Sequence, residues 1–213
     1  MPNLSLLIAH KHDKANDAAL KVCLDCLVSN TVNDYEILVD ATTPAEPYTV
    51  YNALAQKAAG EYIVFLNSDT FCAPSWDVPM MEVAAPDVIV VPVLVESGAI
   101  GVHPNNIPVN FGMTPETFKR PAFELFAEHA YPNLFNDSDG WFMPSLFNRN
   151  RFLLEGGFDT SLGGFPLDLD RKLWDKWRAS GKRAVKVPSY CYHLQNYSNH
   201  DEQVKAVRHE GTH

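Results

Sequence analysis

Four short apolar runs, each separated from the next by a helix-sized interval, constrain the fold of this chain more than any other feature of it. Leu4–Ala9 is apolar without polar alternation, which is what a strand covered on both faces of a sheet requires. Tyr35–Val39, Tyr62–Leu66 and the valine-rich stretch from Asp87 to Leu94 repeat the pattern. Between the first two, Ala15, Ala18, Ala19, Val22, Cys23, Cys26 and Leu27 form a stripe at helical spacing within Lys14–Ser29. A second helix is expected from about Val50 to Ala59, stopped by Gly60 in the C′ position. The order β-α-β-α-β-α-β over the first ninety-odd residues predicts an α/β fold, a mostly parallel sheet flanked by helices. Ligands of such open sheets bind beyond the carboxyl ends of the strands. The polar residues expected there are His10, Asp40 and Asn67–Asp69.

From Glu96 to about Ser138 the periodicity fades. Prolines at 104, 108, 115, 121 and 132 interrupt it, and only Pro115–Ala130 leaves room for a helix. A strand at Trp141–Phe147, a turn at Gly156-Gly157, a helix over about Leu169–Ser180 and a last strand at Ala184–Val187 complete the reading. Asn199–His213 is a polar tail.

With 213 residues and a net charge of −9, the chain fits one large domain and has no pronounced basic face for a polyanionic backbone. Arg171, Lys172, Lys176, Arg178, Lys182 and Arg183 read as the solvated side of a helix and its following turn. No apolar run approaches the ~20 residues that span a bilayer. The first residues lack a basic region ahead of an apolar one, so a cytoplasmic setting is expected. Cys23 and Cys26 form a C-x-x-C inside the helical stripe, without a second pair at zinc-finger spacing, and read as core residues.

Chemistry concentrates at the end of the third run, Gly60-Glu61-Tyr62-Ile63-Val64-Phe65-Leu66-Asn67-Ser68-Asp69. If the extended geometry continues, Asn67 and Asp69 face the same side. Oxygen donors at a strand end suit Mg²⁺ or Mn²⁺, which take their remaining ligands from phosphates and water. The same residues also suit the cap of a following helix or turn.

Together, Asn52 and Ala59–Asp69 resemble the central segment of family 2 glycosyltransferases of the GT-A fold, where a helical asparagine precedes "A-x-G-E-Y-I-x-F-L-D-x-D". Ala9-His10-Lys11-His12 is similar to that family's first nucleotide-contacting loop, and Tyr35–Asp40 to its second strand with a terminal aspartate. Gly156-Gly157-Phe158-Asp159 is similar to its "G-G-F-D", and Leu167-Asp168-Leu169-Asp170 aligns with its acidic "E-D-x-D-L". Tyr192-His193 stands where many members carry a metal-binding histidine. The chain departs from the pattern twice: Asn67 replaces the first aspartate of D-x-D, and Leu167 replaces a glutamate.

The resemblance implies a GT-A fold, with residues 1–95 as the nucleotide-sugar-binding half and 96–198 as the acceptor-side half. It implies inverting transfer of a sugar from a nucleoside diphosphate sugar, UDP by default, to the hydroxyl of a glycan, protein or nucleic acid. Asp168 is then the general base. Ala9, His10, Asp40, Asn52, Asn67 and Ser68 contact the donor, and Asp69 and His193 hold Mn²⁺ or Mg²⁺. Trp141 and Asp170 fall on the acceptor side. A nucleotidyltransferase would need a glycine-rich loop after the first strand, and Ala9-His10-Lys11-His12-Asp13 has no glycine. Asn67 and Leu167 motivate the alternative of a catalytically degenerate module that binds nucleotide-sugars or glycans.

Overall fold

The structure is a computed structural model, and it describes residues 2–41, 46–98, 106–130, 136–137, 143–161 and 166–194. Along the chain run β1 (Leu4–Ala9), α1 (Lys14–Asn30), β2 (Tyr35–Asp40), α2 (Pro47–Lys57), β3 (Tyr62–Asn67) and β4 (Thr70–Cys72). There follow α3 (Asp77–Glu82), β5 (Val88–Glu96), β6 (Ile107–Pro108), α4 (Arg120–His129) and β7 (Asn136–Asp137). The chain continues through β8 (Ser145–Asn148), α5 (Arg149–Leu154), α6 (Pro166–Ala179) and β9 (Arg183–His193). The expected strand at 141–147 is thus β8, and its first two residues, together with the tail from 199, lie outside the described residues.

One sheet carries the strands in the order β2-β1-β3-β8-β5-β9-β4, with β6 on β5 and β7 on β9. β2, β1 and β3 are mutually parallel, as the alternating runs predict. β8 enters antiparallel between β3 and β5, and β5 then pairs in parallel with β9. Helices cover both faces, and side-chain alternation sorts the core accordingly. Leu4, Leu6 and Ile8 pack with Cys23, Cys26 and Leu27 of α1. Leu7, Ile63 and Phe65 pack on the other face with Tyr51 and Leu54 of α2 and with Leu169, Leu173 and Trp177 of α6. Cys23 and Cys26 are buried free thiols, as read from the helical stripe.

Three local features differ from the expectations. α2 ends at Lys57 with Ala58 as its cap, so Gly60 does not terminate it. A Cβ at Gly60 would lie 2.7 Å from Ser5 Oγ and 2.8 Å from the Leu4 backbone. Close approach of β3's entry to β1 is what demands glycine there. β4 is too short to leave a periodic signal, and β9 extends six residues past the expected Val187, through Pro188, to His193. Its pairing with β5 shifts register between Val91 and Val93, which accommodates the irregularity.

The Gly156-Gly157 turn has a defined mechanical role. Both glycines have positive φ, +87° and +67°. Across from them, the Asn52 side chain donates from Nδ2 to the Phe158 carbonyl at 2.8 Å and accepts from the Phe158 N–H at 2.9 Å. A Cβ at Gly157 would sit 2.5 Å from Asn52 Oδ1. Gly157→Ala therefore adds a left-handed backbone strain of about 1–3 kcal/mol to the loss of this clamp. Urea unfolding should show a destabilisation of at least that size, with Gly156→Ala milder because open space surrounds its missing Cβ.

Candidate active site

Parallel pairing aligns the carboxyl ends of β1, β2 and β3 in one row. Ala9 pairs with Asp40 on one side and with Asn67 on the other. Three of the residues expected to contact a donor thus stand side by side. Beneath this row, Tyr51 of α2 donates its hydroxyl to the Leu66 carbonyl at 2.7 Å and reaches Asn67 Oδ1 at 3.4 Å. Burial pushes the Tyr51 phenol far above its ordinary pKa, so it remains a neutral donor. Ser68 is buried. Asn52, also expected at the donor site, has its amide engaged by Phe158.

After Asn67 the strand does not continue. Ser68 and Asp69 form a turn into β4, so Asp69 is not delivered by strand alternation with Asn67. The turn instead carries Asp69 across to the end of β9, where its carbonyl accepts from the Leu194 N–H at 3.0 Å. Thr70 pairs with His193 across β4 and β9, and Glu96 pairs with His193 across β5 and β9. Directly paired residues put their side chains on the same face. His193 is therefore held between two neighbours that the sheet chooses for it.

The resulting constellation has a metal-site logic. His193 Nδ1 lies 2.8 Å from Glu96 Oε1, and His193 Nε2 lies 3.7 Å from Asp69 Oδ1. Facing a carboxylate, Nδ1 carries the proton and donates it, which in the neutral ring leaves the Nε2 lone pair directed at Asp69. Metal-bound histidines are oriented by a second-shell carboxylate in the same way. The Nε2–Oδ1 gap is too long for a hydrogen bond and is of the size that separates two ligands of one cation. Asp69 is 1% exposed. Next to His193, Thr70 Oγ1 is buried without a hydrogen-bond partner among the described residues. A carboxylate, an imidazole and an orphaned hydroxyl at one strand end fit a divalent cation with oxygen-rich ligands.

Glu96 is the member of this cluster that the sequence does not single out. Its only signal was a carboxylate closing an otherwise apolar strand. Burial disfavours the charged His193 ring, but the adjacent Asp69 and Glu96 carboxylates outweigh it and raise the pKa above its ordinary value.

Asp168 lies in the first turn of α6. Asp170 follows it and hydrogen-bonds to the Tyr48 hydroxyl, while burial pushes its carboxyl up to about 7. Trp141 lies outside the described residues. A cleft of about 590 Å³ opens nearby between Asn52, the Gly156–Ser161 turn and the Lys172 and Lys176 side of α6. Neither Asp69, Glu96 nor His193 lines it, so the convergence of donor groups, rather than the volume, locates the candidate site.

No protein-family model and no curated protein sequence matches the chain. Among solved structures it is similar to GalNAc-T7 with UDP, GalNAc and Mn²⁺, with a TM-score of 0.57 and 15% identity over 91% of this chain. It is also similar to residues 1–349 of S. aureus TarS, with a TM-score of 0.58 and 10% identity over 90% of this chain. The fold is GT-A-like. The chain spans 44% and 60% of the length of these two solved glycosyltransferase chains. In a GT-A-like sheet the row Asp40–Ala9–Asn67 and the Asp69–His193 pair both lie at strand ends, where α/β sheets bind ligands.

Replacing Glu96 by Gln removes a charge that raises the His193 pKa, so an NMR titration of the metal-free protein should show that pKa fall. Asp170 gives a second readout. In the native chain its carboxyl holds a proton up to about pH 7, against an ordinary value of 3.8. Between those values the unfolded chain binds fewer protons than the native one, so stability drops as pH rises. Urea unfolding across this range should therefore decline less steeply in Asp170→Asn than in wild type.

Proposed function

We propose that the chain is a metal-dependent glycosyltransferase. It moves a sugar from a nucleoside diphosphate sugar, UDP-linked by default, to an acceptor hydroxyl with inversion. The observation that carries this reading is the Glu96–His193–Asp69 arrangement at the strand ends of a GT-A-like sheet. The chain's likeness to a structure holding UDP and Mn²⁺ supports it.

In this reading Ala9, His10, Asp40, Asn67 and Ser68 border the donor, and Asn52 serves it by holding the Gly157–Phe158 turn. Asp69 and His193 hold Mn²⁺ or Mg²⁺, which when bound supplies positive charge to the departing diphosphate. Asp168 removes the proton of the acceptor hydroxyl, a role worth roughly 10²–10⁴-fold for a positioned carboxylate. Asp170, buried against Tyr48, and Trp141 belong to the acceptor side. The acceptor in this reading is the hydroxyl of a glycan, protein or nucleic acid, and no helix among the described residues is long and apolar enough to cross a membrane.

Calorimetry of UDP with and without Mn²⁺ tests the donor site. Micromolar binding that requires the metal and disappears in Asp69→Ala is the expected result. Asp168→Asn should keep that binding and lose at least about a hundredfold in turnover. Donor binding without turnover on any acceptor would leave the chain a nucleotide-sugar-binding module, the outcome that Asn67 and Leu167 point toward. Absence of binding for uridine, guanosine and thymidine diphosphates under any metal would overturn the reading.

A further inference from the structure

A second cluster of metal-ligating side chains stands apart from Asp69 and His193 and shares no residue with them. His10 and His12, in the loop after β1, and Asp17, in the first turn of α1, bring their ligand atoms within 4.8 Å of one another. His10 Nε2 lies 2.8 Å from Asp17 Oδ1, and His12 Nδ1 lies 2.9 Å from the same oxygen. Two imidazoles converging on one carboxylate oxygen outline a common centre. We propose that His10, His12 and Asp17 form a binding site for Zn²⁺, independent of the donor-site cation.

The cluster is built rather than incidental. The His10 side chain is 1% exposed, so its ring is held in place with Nε2 turned to the cluster. His12 is 75% exposed and Asp17 40%, which leaves an entry path and room for water on the remaining coordination positions. Asp17 is not consumed by helix capping, because Asp13 performs that task, accepting from the Asn16 N–H at 2.9 Å.

Two imidazoles and one carboxylate make a set that favours Zn²⁺ over the harder Mg²⁺ and Mn²⁺. Three protein ligands plus water is the arrangement of open zinc sites. Ligand atoms bonded to zinc at ~2.1 Å stand ~3.4 Å apart at tetrahedral angles. The exposed His12 and Asp17 side chains have to part by only a fraction of an ångström to reach that separation. For His10 Nε2 to ligate, the ring proton has to sit on Nδ1, which is buried without a hydrogen-bond partner among the described residues. The proton on His12 Nδ1 moves to Nε2, which faces solvent.

A Zn²⁺ titration by calorimetry, on the full chain, distinguishes this site from the Asp69–His193 pair. One tight event per chain is expected in wild type, retained in Asp69→Ala and weakened at least about tenfold in both His12→Ala and Asp17→Asn. Because His12 is a surface residue, its truncation leaves the fold intact, and far-UV circular dichroism verifies this. Absence of the event in wild type overturns the proposal, as does its loss in Asp69→Ala or a weakening below tenfold in His12→Ala. None of these outcomes depends on whether UDP binds.

Discussion

Backbone pairing of β9 with two neighbours at once is the constraint on which the candidate site depends. β5 holds one edge of β9 in parallel and β4 holds the other antiparallel, so the last residue of β9 is bracketed on both sides. Glu96 and Thr70 thereby become the neighbours of His193, and the turn before β4 brings Asp69 to its ring. None of these four residues is near another in sequence except Asp69 and Thr70. Hydrogen bonds between main chains, indifferent to side-chain identity, create the chemistry.

A second set of constraints ties the turn ahead of α6 to the helix beneath the strand ends. The Asn52 amide joins α2 to the turn ahead of α6, and Gly157 is required because a side chain would occupy the same space. Tyr51, one residue earlier on α2, supports the ends of β3 from below. One helix therefore supports the strand ends and clamps the turn that leads to Asp168 and Asp170. Burial raises the pKa of the Asp170 carboxyl, whereas at His193 the Asp69 and Glu96 carboxylates raise it against the effect of burial.

The two candidate ion-binding arrangements differ in how they are made. Asp69 and His193 come from strands far apart in the chain and sit among buried neighbours, with an orphaned Thr70 hydroxyl beside them. His10, His12 and Asp17 come from eight consecutive residues at one loop-to-helix junction, two of them open to solvent. The first is a product of sheet topology. The second is a product of local spacing, with only the fixed His10 ring owed to the core.

Apolar periodicity determined the parallel β1–β2–β3 core, the helices α1, α2 and α6, and the strand ends where polar residues had to gather. Those features depend on which side chains must leave water, and that is written locally in residue type and spacing. Asp69 was singled out by its place after the third apolar run, and His193 by the resemblance of Tyr192-His193 to a family motif. Only the tertiary structure decided that Ser68–Asp69 turns away from β3, that β8 enters antiparallel between β3 and β5, and that β9 runs on to His193. Glu96 acquired its partner by the same route, and Asn52 its engagement with Phe158. Such outcomes follow from which distant backbones pair and how closely they approach, and no local pattern of hydrophobicity encodes a pairing between residues 96 and 193.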